Sequence, residues 1–434
     1  VASLSLDRPI RGFDSAALDA LIAALGEGAV SADARRAALA RFDALPAPDV
    51  QPGRYWKVDL GAQDYSDVVP FALERASDAP PPIAGLEPAW DFLQIDSHAS
   101  TAPHAPAAGA KFGVWSLAAA ADDGDPEIRA LFERSFRGTL DVEREKFASL
   151  ALAFQSGGAF VYVPPGVKLE RPIVLTYVQR RAALFPYTLV VAGAGSDCTI
   201  VERIVLEGDA PFACGVCEVV AETGARTAVC SIVEPGSGRV FATRRAKVGR
   251  DAHLAWSIAD LGGELVVDSA HCALEERGAQ GELGGLFFAD KAQHVSLETQ
   301  VDHTVGETTS RTVVKGAAAE RGQGRYVGNI RIHAHAHLSE ASLRDDSLLL
   351  SKHAHIDSIP ALEIAANDVK AFHGATVGAI DEDEIFYAQT RGISRADAER
   401  MIALGFFEPA LVHFPAGVRE HIRPALERKL PVSE

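Results

Sequence analysis

Three groups of residues have the types and spacing to do chemistry. Cys214-Gly215-Val216-Cys217 is a C-x-x-C. Redox or metal work by such a pair needs a helix N-terminus that lowers a thiol pKa, or a second ligand pair. Neither accompanies it. Glu218 to Ala221 continue a strand-like run, and an offset of three on a strand sends the two thiols to opposite faces. The pair therefore reads as buried structural cysteine. His333, His335 and His337 alternate with Ala334 and Ala336, which on a strand puts three imidazoles on one face. His353 and His355 repeat the pattern about one coil later, and Asp357 shares a face with His355. Stacked imidazoles are competent transition-metal ligands. The plainer alternative is a solvated strand face or a polar partner surface, and Glu340 falls on the opposite face from the first run. The acidic run Asp381-Glu382-Asp383-Glu384 suits a helix start better than a metal site, because carboxylates are favoured at that end of the dipole.

Other chemistries are missing from the pattern. No G-x-x-x-x-G-K-[ST] occurs, and Gly193-Ala194-Gly195 lacks both the lysine and the following helix, so any nucleotide hydrolysis has to come from another chain. There is no G-x-S-x-G and no H-E-x-x-H. The net charge of −17 argues against nucleic acid and against an anionic membrane surface as partners. Five cysteines in 434 residues are too few and too unevenly placed for a disulfide framework, which points to a reducing, cytoplasmic setting. No apolar run approaches the roughly 20 residues that span a bilayer. Val1 to Arg11 shows no basic stretch followed by an apolar core, so no secretory leader is expected.

The elements that must position these residues change along the chain. Residues 1 to about 50 read as helices: Leu18, Leu21, Ile22 and Leu25 recur at helical spacing after Asp14, and Ser31 is a plausible N-cap for an Ala-rich helix ending before Leu45-Pro46. Residues 75 to 110, rich in Ala and Pro, read as a linker or long loop. Asp141 to Gln155 is helical again, and Gly157-Gly158 stops it. From Ala159 to about Val369, short runs of Val, Ile, Leu and Thr are broken by Gly, Asp and Asn, as in Ala159–Val163, Tyr187–Ala192, Thr199–Val205 and Ala228–Val233. Cys198, Ala225, Ala252 and Ala279 recur every 27 residues, each after a polar residue or Gly. Short strands at that period suit a parallel β-helix whose coils bury their inner faces on their neighbours; a β-sandwich is the alternative. Helices return from Asp381. Ser394 looks like an N-cap, Gly405 a stop, and a second helix is expected from about Glu408 to Arg428, bent or broken at Pro415 and Pro424.

Several strings resemble the SufB/SufD family of iron–sulfur cluster assembly proteins. They are Lys146–Leu150, Tyr162–Val167, Val301-Asp302-His303, Leu348–Ser351, Leu362-Glu363-Ile364, Asp368-Val369-Lys370, Phe372–Gly378, Ile385-Phe386-Tyr387 and Thr390–Ile393, with a weaker echo at Tyr55-Trp56-Lys57. The His-Gly-Ala-Thr-Val-Gly string is similar to the SufD branch. The resemblance implies a right-handed parallel β-helix core, here 157–372, between an N-terminal, mostly helical domain with a linker, 1–156, and a C-terminal helical domain, 373–434. It implies a non-catalytic scaffold that pairs with a SufB-like subunit as a heterodimer and docks a SufC-like ABC ATPase on its C-terminal helices. Ile402, Leu404, Phe406 and Phe407 are the apolar candidates for that contact. It implies no cofactor held stably by the isolated chain and an iron–sulfur cluster assembled transiently at the subunit interface, with His373 as the candidate cluster-assembly residue. His333, His335 and His337 remain weaker metal candidates. Many relatives carry Cys two residues before this His where this chain has Ala371, so the soft ligands fall to the partner; many also carry Gln or Asn where it has His337 and Asp345, so contacts to a SufB-like subunit at those positions would differ here. Taken alone, His373 would read as a packed histidine at a domain corner. Two competing functions are a polysaccharide-processing enzyme on the same β-helix, and a His-rich metal-binding protein acting alone.

Overall fold

Strands from residue 159 onward turn one face to a shared interior, and from residue 187 onward each lies parallel to the strand two before it. The computed structural model describes residues 10–26, 29–47, 58–76, 78–99, 113–209 and 211–430. Tyr55-Trp56-Lys57, the start of the chain through residue 9, and residues 77 and 100–110 of the Ala/Pro-rich stretch lie outside them.

In chain order the elements are helices α1 (Ser15–Leu25) and α2 (Ala29–Ala44), strands β1 (Trp90–Ile95), β2 (His98–Ala99) and β3 (Gly113–Ser116), and helices α3 (Leu117–Ala121), α4 (Pro126–Ser135) and α5 (Lys146–Phe154). Strands β4 (Ala159–Val163), β5 (Ile173–Gln179), β6 (Tyr187–Ala192), β7 (Asp197–Leu206), β8 (Phe212–Ala221), β9 (Arg226–Val233), β10 (Arg239–Val248) and β11 (His253–Asp260) follow. Next come β12 (Leu265–Leu274), β13 (Gln280–Ala289), β14 (His294–His303), β15 (Thr309–Ala318), β16 (Gln323–Ile332), β17 (Glu340–Leu349), β18 (His355–Ile364) and β19 (Lys370–Ala379). Helices α6 (Glu382–Thr390), α7 (Arg395–Leu411) and α8 (Ala416–Lys429) close the described chain.

From β4 on, odd strands stack parallel in one sheet and even strands in the other, so each coil contributes one strand to each. The fold is a parallel β-solenoid, the β-helix expected, and not a sandwich. Its inner faces form one continuous core, including Ile200, Val229, Trp256, Leu283 and Leu343. Residues with positive φ mark one corner of successive coils: Gly195, Gly224, Asp251, Gly278, Glu307 and Leu338. A small buried residue follows each, namely Ser196, Ala225, Ala252, Ala279, Thr308 and Ser339. The tight corner leaves no room for more, and this is the physical basis of the repeat. Cys198 belongs elsewhere in it: Cys198 pairs with Thr227, two places past the corner, so Ser196 is the true equivalent of Ala225.

Helices α1, α2 and α5 cover the outer face of the even-numbered sheet, where Phe13, Leu18, Phe147 and Phe154 meet Phe185, Phe212, Cys214 and Phe241. Asp14 caps α1 through the Ala17 N–H at 2.8 Å, and Gly26 ends it at φ 67°. Helices α7 and α8 cover the odd-numbered sheet, with Phe407, Leu411, Phe414, Val418, Ile422 and Leu426 packed on Ile232, Leu286, Phe288 and Leu348.

Some expectations fail. The stretch read as a linker contains β1, which pairs parallel with β5 from Trp90↔Ile173 to Ile95↔Val178 and extends the odd sheet. Ser31 lies inside α2 and is not its cap. Gly405 does not stop α7, because Phe407, Ala410 and Leu411 continue the buried stripe while Gly405 faces solvent. Tertiary burial outweighs the roughly 1 kcal/mol that a helical glycine costs.

Candidate functional site

The two ends of the solenoid differ. At the start, β2 folds back antiparallel on β1, and β3 runs antiparallel to β4. At the other end the sheets finish on β18 and β19, ten residues each, and no described strand pairs with their outer edges.

His373 stands on β19, in register with Leu343. Successive register pairs place it at the end of a column running Ile200, Val229, Trp256, Leu283, Thr312, Leu343, His373. The earlier members are buried; His373 is exposed because no described coil lies beyond it. It is therefore not a packed corner histidine. Its neighbours on the same strand face are Ala371 and Ala375, and the last two strands carry exposed apolar side chains: Phe372 is 60% exposed, Ile364 43% and Val377 43%.

One coil beneath, Asp345 lies on the same inner face, paired with Ala375. It is fully buried, takes a long hydrogen bond from Ser347 Oγ at 3.3 Å, has the Ser358 hydroxyl beside it, and its Oδ2 lacks a well-formed hydrogen bond. Burial pushes its carboxyl up to about 6. Asp346 points outward and is opposite in character, held down to about 2: Lys315, Thr376 and Arg344 donate to it and outweigh its desolvation.

The chain's own thiols are out of reach. All five cysteines are buried and unpaired by disulfides. Cys214 faces the helices, its Sγ donating to the Phe147 carbonyl at 3.2 Å, while Cys217 faces the solenoid core, so the two do point to opposite faces. Burial pushes Cys198, Cys230 and Cys272 up to about 12 and the other two higher still.

His333, His335 and His337 do not share a strand face. They lie in the turn between β16 and β17, all exposed, around the buried Ala336. Their alternation is the small-residue corner signature, not a strand. Among the described residues, no group of three or more His, Cys, Asp or Glu is arranged to hold a metal ion. In α7, Phe407 is fully buried and stacks on Phe288 at 6.1 Å, so it is not offered to a partner; Ile402, Leu404 and Phe406 are half-buried. The freer apolar surface is on α6, with Phe386 66% and Tyr387 61% exposed.

Sequence reasoning missed the charged groups inside the solenoid. Arg244 is buried between Glu202 (2.6 Å) and Asp268 (2.9 Å), and Glu202 also accepts from Thr188 and Ser231. The only trace is an ionisable residue at an inward position of an apolar strand. The partly buried His271–Asp302 pair (2.9 Å) on the outer face of the even sheet was equally silent.

Residues 175–406 match the SUF system FeS cluster assembly, SufBD core domain. An iron-sulfur cluster assembly SufBD family protein of Staphylococcus epidermidis is 28% identical over 295 residues, 67% of this chain and 63% of the relative. Its counterpart in Staphylococcus saprophyticus is 27% identical over the same length, and one in Staphylococcus aureus is 27% identical over 300 residues, 68% of this chain and 64% of the relative. The matches thus span less than two thirds of the relatives' own length. With the core domain matched over more than half the chain, and a parallel solenoid built by those residues, this protein belongs to the SufBD family of iron–sulfur cluster assembly proteins.

Proposed function

We propose that the chain is a SufD-type, non-catalytic scaffold subunit working in the cytoplasm. Its solenoid pairs end-on with a SufB-like subunit, and its C-terminal helices dock a SufC-like ATPase. An iron–sulfur cluster is built transiently at the paired end, with His373 contributing a ligand. The observation that carries this reading is His373 itself: an exposed imidazole closing a core column, on last strands that also expose Phe372, Val377 and Ile364, at a solenoid end that lacks a cover among the described residues. Iron–sulfur species need thiolates. With all five cysteines of this chain buried, the thiolates come from the other subunit. A neutral imidazole alongside them is an exchangeable ligand, useful to a site that must give its cluster away. The C-terminal helices, which begin at Glu382 beyond the last solenoid strand, offer their ATPase contact through Phe386 and Tyr387 on α6 and the half-buried Ile402, Leu404 and Phe406 on α7.

The test is co-expression with candidate partner subunits, mass measurement of the complex, and cluster reconstitution. His373→Ala is expected to cut cluster yield, read by visible absorption with iron and sulfide analysis, while subunit association persists. His335→Ala, on an exposed turn, is the control and is expected to be nearly silent. Full cluster yield with His373→Ala, or a larger defect with His335→Ala, overturns the assignment.

A further inference from the structure

Asp345 is the buried group at this end that the reading above leaves without a task. A carboxylate taken out of water without a counter-charge or full hydrogen bonding is costly and calls for an explanation. Its surroundings supply only hydroxyls. The side chains on its inner face are Leu343 and Ser347 on its own strand, Val314 below and Ala375 above, with the Ser358 hydroxyl and Tyr326 near it on the other sheet; Lys315, one strand away, is engaged by Asp346 on the outer face. Oδ2 is buried and lacks a well-formed hydrogen bond.

Register brings it close to His373. The two residues are on adjacent parallel strands, on the same face, one inward step apart. Strands lie about 4.8 Å apart and successive same-face residues about 6.6 Å apart, so the two Cβ atoms are roughly 8 Å apart. A carboxylate and an imidazole each reach about 2.5–3.5 Å beyond Cβ. Bonds from such oxygen and nitrogen donors to a first-row divalent ion are about 2 Å. One ion between the last two coils is within reach of both. On the same face of β19, the positions flanking His373 are the small Ala371 and Ala375, so only small side chains of the last strand stand next to Asp345.

From this the geometry points to a two-donor site, Asp345 with His373, that takes ferrous iron into the open end of the solenoid before the partner completes the coordination. Imidazole and carboxylate together, with positions left open, accept ferrous iron as they do other first-row divalent ions, so the choice of iron rests on the cluster-assembly role proposed above. The site rests on the reading of His373 above and adds to it the residue that would hold iron as substrate on this chain alone.

The experiment is anaerobic equilibrium dialysis of the full chain against Fe(II), for wild type, Asp345→Asn, Asp345→Ser, His373→Ala and His335→Ala. Asn keeps the shape and removes a buried charge, and Ser guards against a packing artefact; far-UV circular dichroism checks each fold. The expected result is one Fe(II) per wild-type and His335→Ala chain, and at least tenfold weaker binding by both Asp345 variants and by His373→Ala. Wild-type affinity in folded Asp345→Asn overturns the site, as does failure of the wild-type chain to retain Fe(II). Cluster yield in the complex separates the two readings: a defect confined to His373→Ala, with Asp345 variants normal in both assays, leaves His373 standing and removes Asp345.

Discussion

Acidification will act on this fold through His303 before it reaches most carboxylates. The residue ends β14 in a column between Leu274 and Ile332 and is fully buried. Both ring nitrogens are used, Nδ1 with Thr308 Oγ1 at 2.7 Å and Nε2 with Ser310 Oγ at 2.8 Å. Burial lowers its pKa to about 4 from an ordinary 6.5, with the Asp302 carboxylate opposing. Between those values the unfolded chain binds a proton that the folded chain refuses. Stability from this group is therefore complete above about pH 6.5 and is lost as pH falls toward 4. A gap of about 2.5 units is worth roughly 3 kcal/mol in full, of which about 2 kcal/mol is gone by pH 5. His303→Leu fits a column already lined by Leu and Ile. It strands the Ser310 hydroxyl, while Thr308 keeps Ser339 at 3.0 Å, so at pH 7.5 it should cost about 1 kcal/mol. At pH 5 the order should reverse, with the variant the more stable by about 1 kcal/mol. Urea unfolding of both proteins at both pH values, followed by circular dichroism, measures this double difference, in which every shared carboxylate cancels. An unchanged gap between wild type and variant at the two pH values would refute the reasoning.

Two further outcomes follow from packing. Phe407→Ala should lower stability by about 3–5 kcal/mol in chemical denaturation, because the ring is buried on Phe288, whereas Phe386→Ala, on an exposed ring, should shift it by less than about 1 kcal/mol yet weaken retention of the ATPase subunit at least tenfold in a pull-down. Gly262→Ala should destabilise by at least about 2 kcal/mol or prevent folding, since a Cβ there would stand 1.8 Å from the Glu234 carbonyl oxygen of the coil below; a soluble variant with a wild-type unfolding midpoint would contradict the stacking described.

The solenoid was legible because its corners are chemical. Positive φ asks for Gly, Asp or another tolerant residue, and the next side chain must be small, so Gly224-Ala225, Asp251-Ala252 and Gly278-Ala279 announce themselves. The phase was not fully legible. Corners fall at 195, 224, 251, 278, 307 and 338, so coil length varies, and a strict period of 27 slid onto Cys198. The same corner chemistry made His333 to His337 look like a strand. A strand such as Trp90–Ile95 has only the two-residue His98–Ala99 beside it in sequence; its full length is paired by contact with Ile173–Val178 far along the chain. Glu202 and Arg244 meet across coils 42 residues apart, a distance at which local pattern carries no signal. His373 was found through its motif, but its exposure and its column could come only from register.

The open end also bears on why this chain would need company. Parallel stacking leaves a free row of backbone donors and acceptors on the last strand of each sheet, and proteins blunt such edges with Lys, Pro, bulges or a covering element. Strand β18 carries Pro360, whose missing N–H suits an edge, and Glu363. Strand β19 has Lys370, ion-paired to Glu340, and then nine residues, Ala371 to Ala379, without a charge or a proline. Phe372 and Val377 stand exposed within that run. The opposite end of the solenoid is turned back on itself, so the chain has the means to close an edge and does not use it here. An unguarded, half-apolar edge next to an exposed imidazole is costly for a lone protein to keep in water. It suits the pairing proposed above, in which a second chain covers the edge and supplies thiolates that the buried cysteines here do not.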